Sequence, residues 1–189
     1  MENSEQTAFT GKAEEILEVA ERHMRAGGFD AVSFRDIAAE VGIKSASVHY
    51  HFPQKADLGA AVVQRYTARV VEAVGVPDDP TESTQERISR LIGVYRSAMI
   101  DDGLICLCCV LGAETLDLPD PVAEAVRGFF ALVLGWTETA LTASPAVGET
   151  TTAAQIISSL QGAMILSIAT KQADHFATTA QSILDQLSR

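Results

Sequence analysis

Apolar residues recur at three- and four-residue steps along almost the whole chain, while the two-residue alternation of strands is almost absent. The pattern predicts an all-α fold. A first stripe of Ala13, Ile16, Leu17, Ala20 and Met24 predicts a helix over about 11–25, which Gly27 and Gly28 stop. Phe34, Ile37, Ala38 and Val41 share one face of a shorter helix, with Ser33 suited to its N-cap, Asp36 in the capping position and Gly42 at its end. The next helix, about 44–50, turns Val48 and Phe52 inward and leaves Ser45, Ser47, His49 and Tyr50 outward. Leu58, Val62, Tyr66 and Val70 at four-residue steps then predict a longer helix over 55–74.

The second part of the chain reads the same way. GVPDDPTES, residues 75–83, is a loop, followed by a helix over 84–100 through Ile88, Leu91, Ile92 and Tyr95. Asp101, Asp102 and Gly103 break it. A short apolar helix is expected over about 104–115, and Asp120-Pro121 reads as an N-cap with proline at the first helical position of a helix reaching about Leu141. SPAVGETTT forms the next loop. Two final helices, about 153–169 and 174–187, carry Ile156, Ile157, Leu160 and Met164, then Phe176, Ala180, Ile183 and Leu187. No internal repeat is visible.

Composition narrows the classes. In 189 residues, 47% hydrophobic content is ample for a core without staples. The three cysteines all lie between Cys106 and Cys109, so no disulfide framework is expected and a reducing cytoplasm is implied. The first residues, MENSEQTAF, lack a basic and apolar leader, and the apolar run 104–113 is short of a bilayer span, so no membrane partner is expected. The formal charge is −11, from 14 basic against 25 acidic residues, which argues against indiscriminate binding to polyanions. Yet no acid occurs between Glu40 and Asp57, where Lys44, Lys55, His49 and His51 lie. A local positive patch on an acidic body favours one docking face for DNA.

The segment 33–58, SFRDIAAEVGIKSASVHYHFPQKADL, is therefore the most informative stretch. A helical hairpin packed in a core would also carry caps and a glycine turn. Outward Ser, His and Tyr beside Lys favour a surface that reads DNA instead. Residues 41–58, VGIKSASVHYHFPQKADL, resemble the recognition helix and following helix start of the TetR/AcrR family of bacterial transcriptional regulators, whose usual form is G-V-S-x-G-T-L-Y-x-H-F-x-x-K-x-x-L. Ile37-Ala38 with Gly42, and His51-Phe52 followed by Lys55, fall on that family's most regular positions. Lys44 stands for the usual Ser, and His49 for the usual Tyr with Tyr50 beside it, which makes base readout the least transferable part of the resemblance.

The resemblance covers the first third of the chain. It implies a three-helix helix-turn-helix DNA-binding domain at 1–54 and a helical ligand-binding and dimerisation domain at 55–189. The implied function is a cytoplasmic repressor that binds a palindromic double-stranded operator as a homodimer. A small-molecule inducer of unknown identity, or thiol modification, releases it. Ser45, Ser47, His49 and Tyr50 are the expected base readers, with Arg35 and Lys55 on phosphates and Ser33 and Lys44 beside them. His51 either contacts DNA or packs by Phe52 at the helix end.

In the body, Tyr66, Tyr95, Met99, Cys106, Phe129, Phe130, Trp136 and Met164 are the candidate ligand-binding residues, although aromatics at 6% of the chain serve a core equally well. Gly128, Ala131, Gly135 and Ala140, and Ser158, Ser159, Gly162 and Ala163, would let helices approach closely, either within the chain or between two copies through about 121–143 and 153–172. Two heads on a two-fold axis read a palindrome, which one recognition helix does not. The cluster CLCC at 106–109 has three readings: apolar packing, half of a zinc site with no second cysteine pair and His175 the only histidine in the C-terminal part, or a redox or electrophile sensor. In the last case Cys106, at a helix start, is the expected reactive thiol. Lys171 either favours that thiolate or complements a helix C-terminus. No hydrolase, metalloprotease, P-loop or dinucleotide motif occurs, so no enzyme, metal or cofactor is expected. A thiol-based redox protein, or an interaction module on the same fold, is the alternative.

Overall fold

The computed structural model describes residues 11–100, 102–143 and 152–188. Among them are nine α-helices and no strand: α1 Lys12–Gly27, α2 Phe34–Val41, α3 Ser45–His51, α4 Lys55–Val74, α5 Thr84–Ile100, α6 Leu107–Ala113, α7 Asp120–Thr142, α8 Ala153–Thr170 and α9 Asp174–Leu187, with one 3-10 turn at Phe29–Ala31. The all-α expectation holds. The ranges of α4, α5 and α9 are those the apolar spacing predicts. Ser33 caps α2 by accepting from the Asp36 amide at 3.4 Å, and Gly42 closes it in the left-handed conformation at φ 72°.

α1 extends through Gly27, which was expected to stop it, and the starts of two later helices also differ. The short helix begins at Leu107 rather than near 104, because the carbonyls of Leu104 and Ile105 are taken by the Arg25 side chain. Asp120 is itself the first residue of α7 and Pro119 occupies the N-cap, one position earlier than expected. Asp101 and most of the predicted SPAVGETTT loop lie outside the described residues.

α1, α2 and α3 pack together as a head, and α4 runs from it into the body, lying along both α1 and α7. Buried side chains form one continuous cluster from Ile16 in α1 to Ile183 in α9. Each fully buried Leu or Ile in it, such as Leu17, Ile37, Leu58 and Leu160, contributes about 1.5–3 kcal/mol. α8 is long and apolar enough by length and composition to cross a bilayer, yet Ile156, Ile157, Leu160, Ala163 and Met164 face the core.

The join between head and body is unusually polar. Glu21 of α1 is buried and takes Arg65 at 2.8 Å and Arg69 at 2.6 Å, both from α4, with Arg25 at 3.9 Å. An isolated buried carboxylate would be very costly, so these guanidiniums are what permit it and fix the register of α1 on α4.

Candidate nucleic-acid interface

The head presents α3 outward. Val48 and Phe52 are buried as expected, and they seat the helix on α1 and α2. On the opposite side Tyr50 is 84% exposed, with His49, His51 and Lys44 also exposed and Ser45 and Ser47 half-buried. His51 packs its ring against Tyr50 at 5.4 Å and lies 6.5 Å from Phe52, while remaining exposed. His49 sits edge-on to Phe34 with ring centroids 4.6 Å apart.

The cations are less available than the sequence implies. Arg35 has a 90% exposed side chain, but its Nε lies 3.6 Å from the Asp36 carboxylate. Lys55 is turned back onto the 3-10 turn, with Nζ 4.5 Å from the Phe29 ring centroid and 3.5 Å from both the carbonyl and the carboxylate of Asp30. Asp30 lies too far back in sequence to be read as its neighbour. Ser33 commits its hydroxyl oxygen to the cap of α2.

Ala46 was not among the expected residues. It is exposed, and its spacing of three and four residues from His49 and Tyr50 places it on their face. The helical spacing carries that signal in the sequence, but a small apolar side chain bears no charge or hydroxyl to mark it as a base reader. An exposed methyl suits contact with the methyl group of thymine.

In the body the expected residues separate into two groups. Tyr66, Tyr95, Met99, Cys106, Phe129 and Met164 are all buried. Tyr66 lies tilted against Phe129 with ring centroids 5.9 Å apart and close to the Cys106 thiol, while the Tyr95 hydroxyl accepts from the Gln161 amide at 3.4 Å. Burial raises the pKa of both tyrosines, and of Tyr66 strongly, with the nearby Cys106 adding to it. Trp136 does not join them. Its indole nitrogen donates to the Gly75 carbonyl at 2.6 Å, capping the end of α4. Phe130 is half-buried on the flank of Phe129, facing Gly112 of α6. A shallow groove of about 310 Å³ lies between α8 and α9, lined by Gln155, Ile156, Ser159, Thr178, Ser182 and Gln186, none of which was expected.

The cysteines correct another expectation. Cys106 is the N-cap of α6, but only 1% exposed, and desolvation pushes its thiol pKa up rather than down. A seven-residue helix dipole does not offset full burial. Cys108 is buried and also raised, whereas Cys109 is half-buried with its thiol pushed up to about 11. Arg25 is the cation acting on Cys106. Lys171 is exposed at the end of α8 in the left-handed conformation.

The small residues divide by face. Gly128, Ala131 and Ser158 are exposed, and Gly128, Gly135 and Gly162 have open space beyond the position of a Cβ. Leu132, Ile165 and Leu166 stand exposed on the same two helices. Ala140 and Ala163 point into the core instead, so they serve packing within the chain.

A three-helix head with an outward second helix of the turn, joined by a long helix to an all-helical body, defines a helix-turn-helix regulator. Residues 16–62 match the family model described as bacterial regulatory proteins, tetR family. A TetR-family transcriptional regulator from Agrobacterium tumefaciens is 28% identical, with a TM-score of 0.85 over 93% of this chain and 97% of that one. A TetR regulator from Legionella pneumophila is also 28% identical, with a TM-score of 0.86 over 95% and 98%. TetR from Rhodobacter sphaeroides shares the fold at 17% identity, with a TM-score of 0.81 over 92% and 97%. No curated protein matches the chain. The chain is thus similar to TetR-family regulators over nearly its whole length, and its residues 16–62 carry that family's signature, which supports a DNA-binding transcriptional regulator.

Proposed function

We propose that this regulator is a repressor that binds a palindromic operator as a homodimer and is released when a small apolar or amphipathic molecule enters the body. The observation that carries the reading is the bare outward face of α3, where Ala46, His49 and Tyr50 stand exposed on a helix otherwise seated in the head. Ser45, Ser47, His49 and Tyr50 are proposed to read bases, with Lys44 and Arg35 on phosphates and Ser33, His51 and Lys55 at the margin. The head is taken as residues 1–54 and the body as 55–189. The exposed small and apolar positions of α7 and α8 support dimerisation through about 121–143 and 153–172, since a face carrying Leu132, Ile165 and Leu166 gains from being covered.

The inducer region is proposed around Tyr66, Tyr95, Met99, Cys106, Phe129 and Met164, where two tyrosine hydroxyls and a thiol break an apolar interior. Phe130 and Trp136 are assigned to its outer wall and to packing. The burial of Cys106 favours non-covalent occupancy over modification of that thiol. An inducer shifts the equilibrium only by as much as it prefers the released state. Selection of the operator from random DNA, followed by gel shifts across a salt series and a compound screen for release, tests the reading. Absence of any sequence preference at any salt concentration overturns it.

A further inference from the structure

We propose that Arg25 and Glu114 are positioning residues for DNA reading: they strap α6 at both ends to the C-terminal end of α1, so that the position of α6 sets the angle of the head on the body. Arg25 is on the last turn of α1 and is buried. Its Nε donates to the Ile105 carbonyl at 2.9 Å, and Nη2 to the carbonyls of Ala98 at 3.2 Å and Leu104 at 3.3 Å. Nη1 reaches the Asp102 carboxylate at 2.6 Å. These partners are the end of α5 and the residues leading into α6.

At the other end of α6, its C-cap Glu114 accepts from the Phe29 amide at 2.9 Å. Gly28 makes room for that carboxylate, because a Cβ there would lie 1.8 Å from Glu114 Oε1. Between the straps, Leu107, Cys108 and Leu111 are buried in the body. A helix of seven residues held at both ends shifts as one piece, and the C-terminal end of α1 shifts with it. The guanidinium is a planar fork with fixed donor directions, so engaging it from four sides fixes an orientation as well as a distance.

The consequence concerns geometry between two heads. It rests on the two-headed operator binding proposed above. Moving one half-site by a single base pair shifts it about 3.4 Å along the axis and rotates it by about a tenth of a turn. A strapped head does not follow such a shift, whereas an unstrapped head swivels to meet it. Base preference within a half-site belongs to α3 and is unaffected.

The test uses the full chain and its selected operator, with further operators in which the half-sites are one or two base pairs further apart. Wild type is expected to lose about tenfold or more in affinity on the first insertion, whereas Arg25→Met and Glu114→Ala lose about threefold or less, starting from weaker binding to the original spacing. The ranking of single-base changes inside one half-site stays the same in all three proteins. Arg25→Lys, which keeps the cation without the fork, falls between. Equal spacing stringency in wild type and in Glu114→Ala, both folded by circular dichroism, overturns the proposal, and Glu114→Ala decides alone where Arg25→Met does not fold. A wild type that binds no two-half-site DNA refutes the dimeric reading and this proposal with it, a result visible before any variant is made.

Discussion

His49 of α3 meets the edge of Phe34 at the start of α2, with ring centroids 4.6 Å apart and planes at 62°. The contact holds an exposed side chain in one orientation before DNA arrives, which reduces the entropy lost on binding. Edge-on aromatic pairs are worth about 0.5–1.5 kcal/mol, so Phe34→Leu is expected to weaken operator binding by roughly two- to tenfold. The effect should vanish in a His49→Ala background. Additive losses in that double-mutant cycle would show that Phe34 acts only through the stability of the head.

Asp30 holds the Lys55 amine, its carboxylate and carbonyl both lying 3.5 Å from Nζ, and on the proposed reading it would compete with DNA for that amine. Asp30→Asn is expected to raise affinity for all sequences alike and to steepen the dependence of log K on log salt by up to about one phosphate contact. Lys55→Ala in that background should restore the original slope. A slope that is unchanged in Asp30→Asn would mean that the amine never reaches a phosphate.

Lys171 ends α8 at φ 56°, with the Gln172 amide donating to the Ser167 carbonyl in the arrangement that usually takes glycine. Lys171→Gly should relieve that strain and stabilise the chain by up to about 1 kcal/mol, read as a rise in Tm. A fall in Tm would show that the lysine side chain outweighs the backbone strain.

Cys109 is expected to be alkylated first, ahead of Cys108 and Cys106. Its thiol is pushed up to about 11 by burial, but it is the one only half-buried. Labelling at neutral pH should therefore be slow and should speed up about tenfold per pH unit toward that value. Peptide mapping after brief iodoacetamide treatment reads the order, and first labelling of Cys106 would contradict the burial argument.

Glu40 links α2 to α1 through Arg22 at 2.6 Å and His23 at 3.0 Å, and the Arg22 hydrogen bond holds its carboxyl below the ordinary 4.5. A folded-state pKa below the unfolded one stabilises above the unfolded value and is lost as pH falls through the folded value. The pair is partly exposed, so the gain is under about 1 kcal/mol. Glu40→Gln should lower Tm at neutral pH, and the gap should close as pH falls below the ordinary carboxylate range. A constant gap across that range would count against the ion pair.

The helical frame and the reading helix were legible because they rest on local spacing: Ser33 capping Asp36, Gly42 closing α2, and Val48 with Phe52 turned inward. What escaped depends on partners distant in sequence. Arg25 meets residues 73 to 80 positions away, and Glu114 meets Phe29 at 85. No periodicity reports such pairs. Trp136 was misplaced for a similar reason, since its partner is a backbone carbonyl at Gly75 that carries no residue signature. Cys106 was misread because a helix start lowers a thiol pKa only where water remains, and burial is a tertiary property.

The acids that shadow the head's cations also bear on how the protein travels. Arg35 lies beside Asp36, Lys55 beside Asp30 and Arg22 beside Glu40. Apart from Lys44, little of the head's charge is left over to grip arbitrary phosphates, so random DNA should hold the protein only briefly. Its search for an operator should run through many short encounters from solution rather than long excursions along one duplex, and its rate of arrival should vary little with the length of flanking DNA.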